Sequence, residues 1–274
     1  MCKVWLVRRT LPALRLERSP LALGLVEVRI SPVLLMADYI PAIQERLRKV
    51  GYPRYSVSQV QTLLLAPMQP NVAPEVESAT RWLFLDEARR TAAVVSPTGV
   101  VLETSSYATF DDFVERLGIV IDVVGAEAEI AFSERLGLRY VDVVRPLEGE
   151  AVSEYLVPGL HGVPEDAFGG RTALARSEVR AETEYGNLVI RTTRSIGQTP
   201  RPPDLQPGDV ETPAFLDGDG EVAVLDFDHF STVNRDFASD VLIDALWDLH
   251  DNIDRAFRSA VTPLALERWE ASPR

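Results

Sequence analysis

The stretch Val101-Leu-Glu-Thr-Ser-Ser-Tyr-Ala-Thr109-Phe, leading into Asp112-Phe113, has a counterpart further along the chain. There Val224-Leu-Asp-Phe-Asp-His-Phe-Ser-Thr232-Val leads into Asp236-Phe237. Both read Val-Leu-acidic, then three residues, then aromatic, small, Thr and apolar, and shortly Asp-Phe. Each reads as an amphipathic strand–helix junction. Thr109 followed by Asp112 has the spacing of a capping box, with Asp in place of Glu. Leu23-Gly-Leu25 and Leu136-Gly-Leu138 likewise open the first strand of each segment. The agreement of local residues with element order predicts an internal duplication.

Outward from these two stretches, each half reads β-α-β-β-β-α. In the first, Val26, Val28 and Ile30 alternate with Glu27 and Arg29 as a half-buried strand. A helix follows, with Asp38 as cap, Pro41 in the first turn, Ile40, Ile43, Leu47 and Val50 on one face, and Gly51 as stop. Residues 57–65 form a strand, and the proline-bearing residues 66–79 a loop. Residues 82–85, 91–95 and 100–105 give a hairpin that turns at Ser96-Pro-Thr-Gly99. In the second half, residues 136–144, 172–183, 188–193 and 221–230 are strands. Residues 152–160 form a short helix, and 197–214 a polar, proline-rich loop. A last long helix over 236–257 carries Leu242, Leu246, Leu249, Ile253 and Phe257 at helical spacing.

The expected fold class is therefore α+β. Two β-α-β-β-β-α units form a mainly antiparallel sheet with the helices packed on one face. The expected division is 1–20 as a flexible leader or misplaced start, 21–130 as the first half and 131–274 as the second, in one globular domain. The other sheet face would be an open groove.

Composition excludes several functional classes. The formal net charge is −13, which works against phosphate binding and predicts no nucleic-acid partner. No run of apolar residues is long enough to cross a membrane. Cys2 is the single cysteine, so neither an internal disulfide nor a thiolate zinc site can form. Together these point to a soluble, acidic, cytoplasmic protein.

Four stretches carry a resemblance: Leu25-Val-Glu-Val-Arg-Ile, Thr104-Ser-Ser-Tyr-Ala-Thr-Phe-Asp-Asp-Phe, Arg135-Leu-Gly-Leu-Arg-Tyr-Val-Asp, and His250-Asp-x-Ile-x-x-x-Phe257. The chain resembles, from about residue 20 onward, an uncharacterised and sporadically distributed bacterial protein family. The resemblance implies a bacterial, non-secreted protein and brings no activity with it.

Candidate chemistry is sparse. No phosphate-binding loop, dinucleotide fingerprint, nucleophile elbow or zincin motif occurs. Asp226, Asp228 and His229, with His250 downstream, could hold a divalent metal by residue type. On a strand, however, Asp226 and Asp228 share one face and His229 takes the other. Asp217-Gly-Asp-Gly reads as a hairpin turn, since the positions that an EF-hand needs at six and twelve are Val222 and Asp228. Arg139 and Tyr140 alternate on a central strand, so one of them faces the groove. Arg139 either binds a carboxylate of a ligand or partner, or forms an internal salt bridge. Trp247 and Trp269 are the candidate anchors of a homodimer face.

The expected function is thus a non-enzymatic binding or interaction protein for a protein partner or small ligand, without a cofactor. Two alternatives stand beside it. One is a divalent-metal-dependent enzyme built on Asp226, Asp228, His229 and His250. The other is a chaperone- or antitoxin-like partner of a neighbouring gene product.

Overall fold

A computed structural model describes residues 14–64, 75–202, 205, 210–211 and 218–273. The chain opens with β1 (Leu14–Leu16), β2 (Leu21–Arg29), α1 (Met36–Leu47), β3 (Arg54–Leu64) and β4 (Glu75–Leu85). It continues through β5 (Thr91–Ser96), β6 (Gly99–Thr104), α2 (Phe110–Ala128), β7 (Phe132–Ser133), β8 (Arg135–Val144) and α3 (Val152–Tyr155). Then come β9 (Leu174–Thr183), β10 (Gly186–Ile196), β11 (Glu221–Ser231), β12 (Arg235–Asp236), α4 (Ser239–Ala260), α5 (Pro263–Arg268) and β13 (Ala271–Pro273).

The fold is α+β, as its patterning predicts. Among the described residues, nine strands form one sheet in the order β3-β4-β5-β6-β2-β8-β11-β10-β9, and each neighbouring pair runs antiparallel. The first strands of the two halves, β2 and β8, lie side by side at its middle. On each flank the later strands of that half march inward from an edge. Within this sheet the first half holds one strand more than the expected unit: β3 to β6, four strands, lie between α1 and α2, whereas three sheet strands, β9 to β11, and the short β12 outside the sheet lie between α3 and α4.

The five helices of the described residues pack on one sheet face, in a single core cluster with Val26, Leu102, Leu138 and Phe227. The helix α2 begins where Thr109 Oγ1 accepts a bond from the Asp112 amide at 3.0 Å, the predicted cap. Its buried stripe is Phe110, Phe113, Leu117, Val120 and Val124. In α4, Leu242, Leu246, Leu249, Ile253 and Phe257 form the buried seam. Each fully buried leucine stabilises the fold by about 1.5–3 kcal/mol.

Several local expectations are corrected. α1 starts at Met36, so Asp38 lies in its first turn instead of capping it, and Pro41 sits inside the helix. β4 begins at Glu75, within the stretch expected as loop. The expected helix over 152–160 splits at Leu156, whose extended backbone starts a separate 3₁₀ turn at Pro158–Leu160. Leu14–Leu16 pairs with Ala271–Pro273, and Leu14 and Leu16 pack on the core, so this part of the expected leader belongs to the fold. Asp217, and with it the start of the Asp217-Gly-Asp-Gly turn, lies outside the described residues.

The face away from the helices is not an open groove along its whole length. Ala22, Val141, Val143, Val222 and Val224 form one apolar cluster there, and Leu205 packs on it. Leu83, Leu85, Ala92 and Val94 form a second, which includes Val210. Residues from the proline-rich connection between β10 and β11 thus cover apolar surface that would otherwise meet water. Ser105 Oγ donates to the Glu211 carbonyl at 2.5 Å and ties the connection down.

Candidate functional site

The predicted acidic–histidine cluster does not assemble. Asp226 lies on the face away from the helices, where Arg139 clasps it through two bonds, Nε–Oδ1 and Nη2–Oδ2, each 2.7 Å. Arg191 adds a third contact to Asp226 at 3.3 Å. Asp228 has the Arg135 guanidinium 3.7 Å away, and burial raises its pKa above the usual carboxylate value. His229 points to the helices. Its Nδ1 donates to the Leu249 carbonyl at 3.1 Å, and its Nε2 lies 2.9 Å from the Thr183 hydroxyl. Burial lowers the imidazole pKa, which favours the neutral ring. The alternation of a straight strand therefore separates the carboxylates from the imidazole. No cluster of three or more potential metal-binding His, Cys, Asp or Glu side chains occurs among the described residues.

Arg139 is buried inside this ion network, with 7 % of its surface exposed. The internal salt bridge is the outcome for Arg139, and the open-face ligand contact is not. Trp269 is buried against Phe257 and Tyr155, which removes it as an exposed dimer anchor.

Tyr140 has a different setting. One residue further along β8, it faces the helices and opens onto a cavity of about 470 Å³, within the size range of small-ligand sites. Four segments build this cavity. β8 presents Tyr140 and Asp142 on the same side, because strand side chains alternate. The link from β6 into α2 supplies Tyr107 and Phe110. α4 supplies Trp247, His250 and Asp254, whose spacing of three and four residues puts them on one helix face. Leu14 to Leu21 forms the remaining wall.

The aromatic groups interlock. The Tyr140 hydroxyl is 3.0 Å from that of Tyr107 and 3.2 Å from His250 Nδ1. The Phe110 ring stacks on His250, with centroids 4.0 Å apart and planes 7° from parallel. Trp247 meets Phe110 edge-on at 4.5 Å. Burial raises the Tyr140 pKa well above the ordinary phenol value, and Tyr107, Asp142 and Asp254 add to the shift. Tyr140 therefore stays protonated and can donate.

Asp142 is the unusual member. It is 5 % exposed, lines the cavity and has no hydrogen-bond or ionic partner among the described residues. Burial, with the Asp226 charge behind it, pushes its pKa up to about 8. A buried carboxyl that no protein group satisfies is costly, and in a native fold it points to a ligand, water or a proton.

Sequence reasoning singled out Tyr140 as a candidate ligand or partner contact and His250 as a candidate metal ligand. It passed over Tyr107, Phe110 and Asp142. Asp142 did carry a signal: it is the lone acid inside the otherwise apolar run Tyr140-Val-Asp-Val-Val144 of a central strand.

No protein-family model matches the chain, and no curated protein is detectably similar to it. No described helix is long and apolar enough to cross a membrane.

Proposed function

We propose that this chain is a non-enzymatic binding protein, and that its ligand is a small molecule held in the cavity between β8, α2, α4 and the N-terminal segment. The carrying observation is Asp142, buried without a partner at the wall of an aromatic-lined cavity. The surrounding groups suit holding more than bond-making. Tyr107, Tyr140 and His250 bond to one another, and stacked rings fix the imidazole plane. Such preorganised walls lower the ordering cost of binding.

Ala108 lines the cavity from an exposed position, so Ala108→Trp fills the mouth with little effect on the core. Ligand-observed NMR with a charge-balanced set of aromatic fragments tests the reading. Binders that compete with one another and are lost in Ala108→Trp support it. An absence of binders, or binders indifferent to Ala108→Trp, overturns it.

The resemblance carried by Arg135-Leu-Gly-Leu-Arg-Tyr suggests membership of the sporadic bacterial family and a cytoplasmic location. We also infer that the two halves descend from one unit. Two observations favour this: the strand order mirrors about β2 and β8, and Glu103 and Asp226 both occupy buried positions on the face away from the helices. The Leu-Gly-Leu pair has to be left out of that alignment. A Cβ on Gly24 would meet Tyr140 and Tyr107, whereas one on Gly137 would meet Arg135, so the two glycines face opposite sides.

A further inference from the structure

We infer that the ligand of this cavity is an organic cation, a protonated amine or guanidinium on an apolar or aromatic body, with its charge seated on Asp142. The inference rests on the proposed binding site and specifies what that site takes.

Three observations converge. The first is the charge of the walls. Glu17, Asp111, Asp142, Asp251 and Asp254 give five carboxylates, against the single guanidinium of Arg15 among the described lining residues. Arg15 is already 3.0 Å from Glu17, Asp254 already holds Arg258 at 2.8 Å outside the lining, and Asp111 and Asp251 have partners of their own, so Asp142 is the carboxyl of this lining that a ligand can engage. An anionic ligand would enter against this field, and a cation would enter with it.

The second is Asp142 itself. Its carboxyl is buried, borders the cavity and lacks a protein partner. Its perturbed titration follows from that: burial and Asp226 press on it with no cation alongside. A ligand ammonium or guanidinium supplies the missing charge-assisted bond. The hydroxyl oxygen of Tyr107 can accept a further hydrogen from the same head group.

The third is the aromatic lining. Phe110, Trp247 and Tyr107 form walls around the same space. Aromatic faces attract a cation within about 6 Å and also bury an apolar body. A neutral hydrogen-bond acceptor could instead use the protonated carboxyl of Asp142, but it would forgo both the charge-assisted bond and the attraction of a cation to the aromatic faces. The combination favours the cation.

The test uses three probes of one shape and different charge: 2-phenylethylamine, 2-phenylethanol and phenylacetate. Isothermal calorimetry is run with the full chain, with Asp142→Asn and with Ala108→Trp, after melting curves establish that each variant folds. The expected result is that the amine binds at least about tenfold more tightly than the alcohol, a difference of about 1.4 kcal/mol. Phenylacetate binds most weakly, Asp142→Asn abolishes the amine's advantage, and Ala108→Trp abolishes binding. If the alcohol or phenylacetate binds as tightly as the amine, or if Asp142→Asn leaves the amine's advantage intact, the cation assignment is overturned while the binding site stands. If no probe or fragment of any charge binds, both fall together. The amine-to-alcohol ratio in the unaltered chain decides the matter even where Asp142→Asn fails to fold.

Discussion

The Tyr140 hydroxyl and His250 Nδ1 lie 3.2 Å apart, although 110 residues of chain separate them. This contact joins the central strand β8 to the last long helix α4, and a second hydroxyl, that of Tyr107, closes the group from the β6–α2 link at 3.0 Å. Tyr140→Phe keeps the ring and removes both bonds. A partly buried hydrogen bond contributes about 0.5–1.5 kcal/mol, so the variant is expected to lose about 1–3 kcal/mol in urea unfolding. Equal midpoints for the two proteins would show that these hydroxyls do not hold β8 to α4.

Asp142 sets a pH dependence whose sign follows from its raised pKa. Between the ordinary value of 3.8 and about 8, the folded chain keeps a proton that the unfolded chain has lost. Stability from this group therefore falls as pH rises across that window, by up to about 1.4 kcal/mol per unit, and levels off above it. Around the carboxyl stand Tyr140 on its own strand, Tyr107 from the β6–α2 link, His250, Asp251 and Asp254 on α4, Arg15 and Glu17 on the N-terminal segment, and Asp226 on β11. Asp142→Asn cannot titrate. Its advantage over the unaltered chain is expected to grow from pH 5 to pH 8 in thermal melts; an advantage independent of pH would contradict the raised pKa.

The Arg139–Asp226 pair is buried, so removing one partner strands the other charge. Arg139→Met is expected to cost about 3–5 kcal/mol, with the low end favoured because Arg191 also reaches Asp226. Arg139→Met combined with Asp226→Leu removes both charges and is expected to recover most of that loss. A double-mutant cycle from chemical denaturation measures the coupling, and strictly additive losses would refute it.

Gly186 sits at φ +151°, and a Cβ there would lie 2.1 Å from the Phe230 carbonyl oxygen. Because that obstacle is backbone, it cannot turn aside, and the β10–β11 ladder would have to open at Asn187↔Phe230. Gly186→Ala is expected to destabilise the chain by more than about 2 kcal/mol. Gly149, also at positive φ but with nothing within 4 Å of a Cβ, supplies the comparison, with a cost limited to backbone strain of about 1 kcal/mol. Melting temperatures of the two alanine variants should differ in that order; equal losses would count against the clash.

Much of the fold can be read from patterning, because period-two and period-3.6 burial are properties of short stretches. The Thr109 cap, the Gly51 stop and the hairpin through Ser96-Pro-Thr-Gly99 all depend on neighbours within a few residues. β4 was harder to read from Glu75 onward, since the prolines and polar residues before it carry the signature of a loop. The candidate site was legible only in fragments. Alternation on β8 assigns Arg139 and Tyr140 to opposite faces, but it does not say which face meets the helices.

The sequence by itself determined the α+β class, the Thr109 cap and the Gly51 stop, the seam of α4, and the separation of Asp226 and Asp228 from His229 across a strand. Local covalent geometry and periodic burial are enough for those. Tertiary structure alone decided that β2 and β8 meet at the middle of the sheet, that Arg139 closes on Asp226, and that Tyr107, Phe110, Asp142 and His250 border one cavity. Those contacts join segments tens to more than a hundred residues apart, and the register that brings them together is fixed by the packing of whole elements, which no short window of sequence contains.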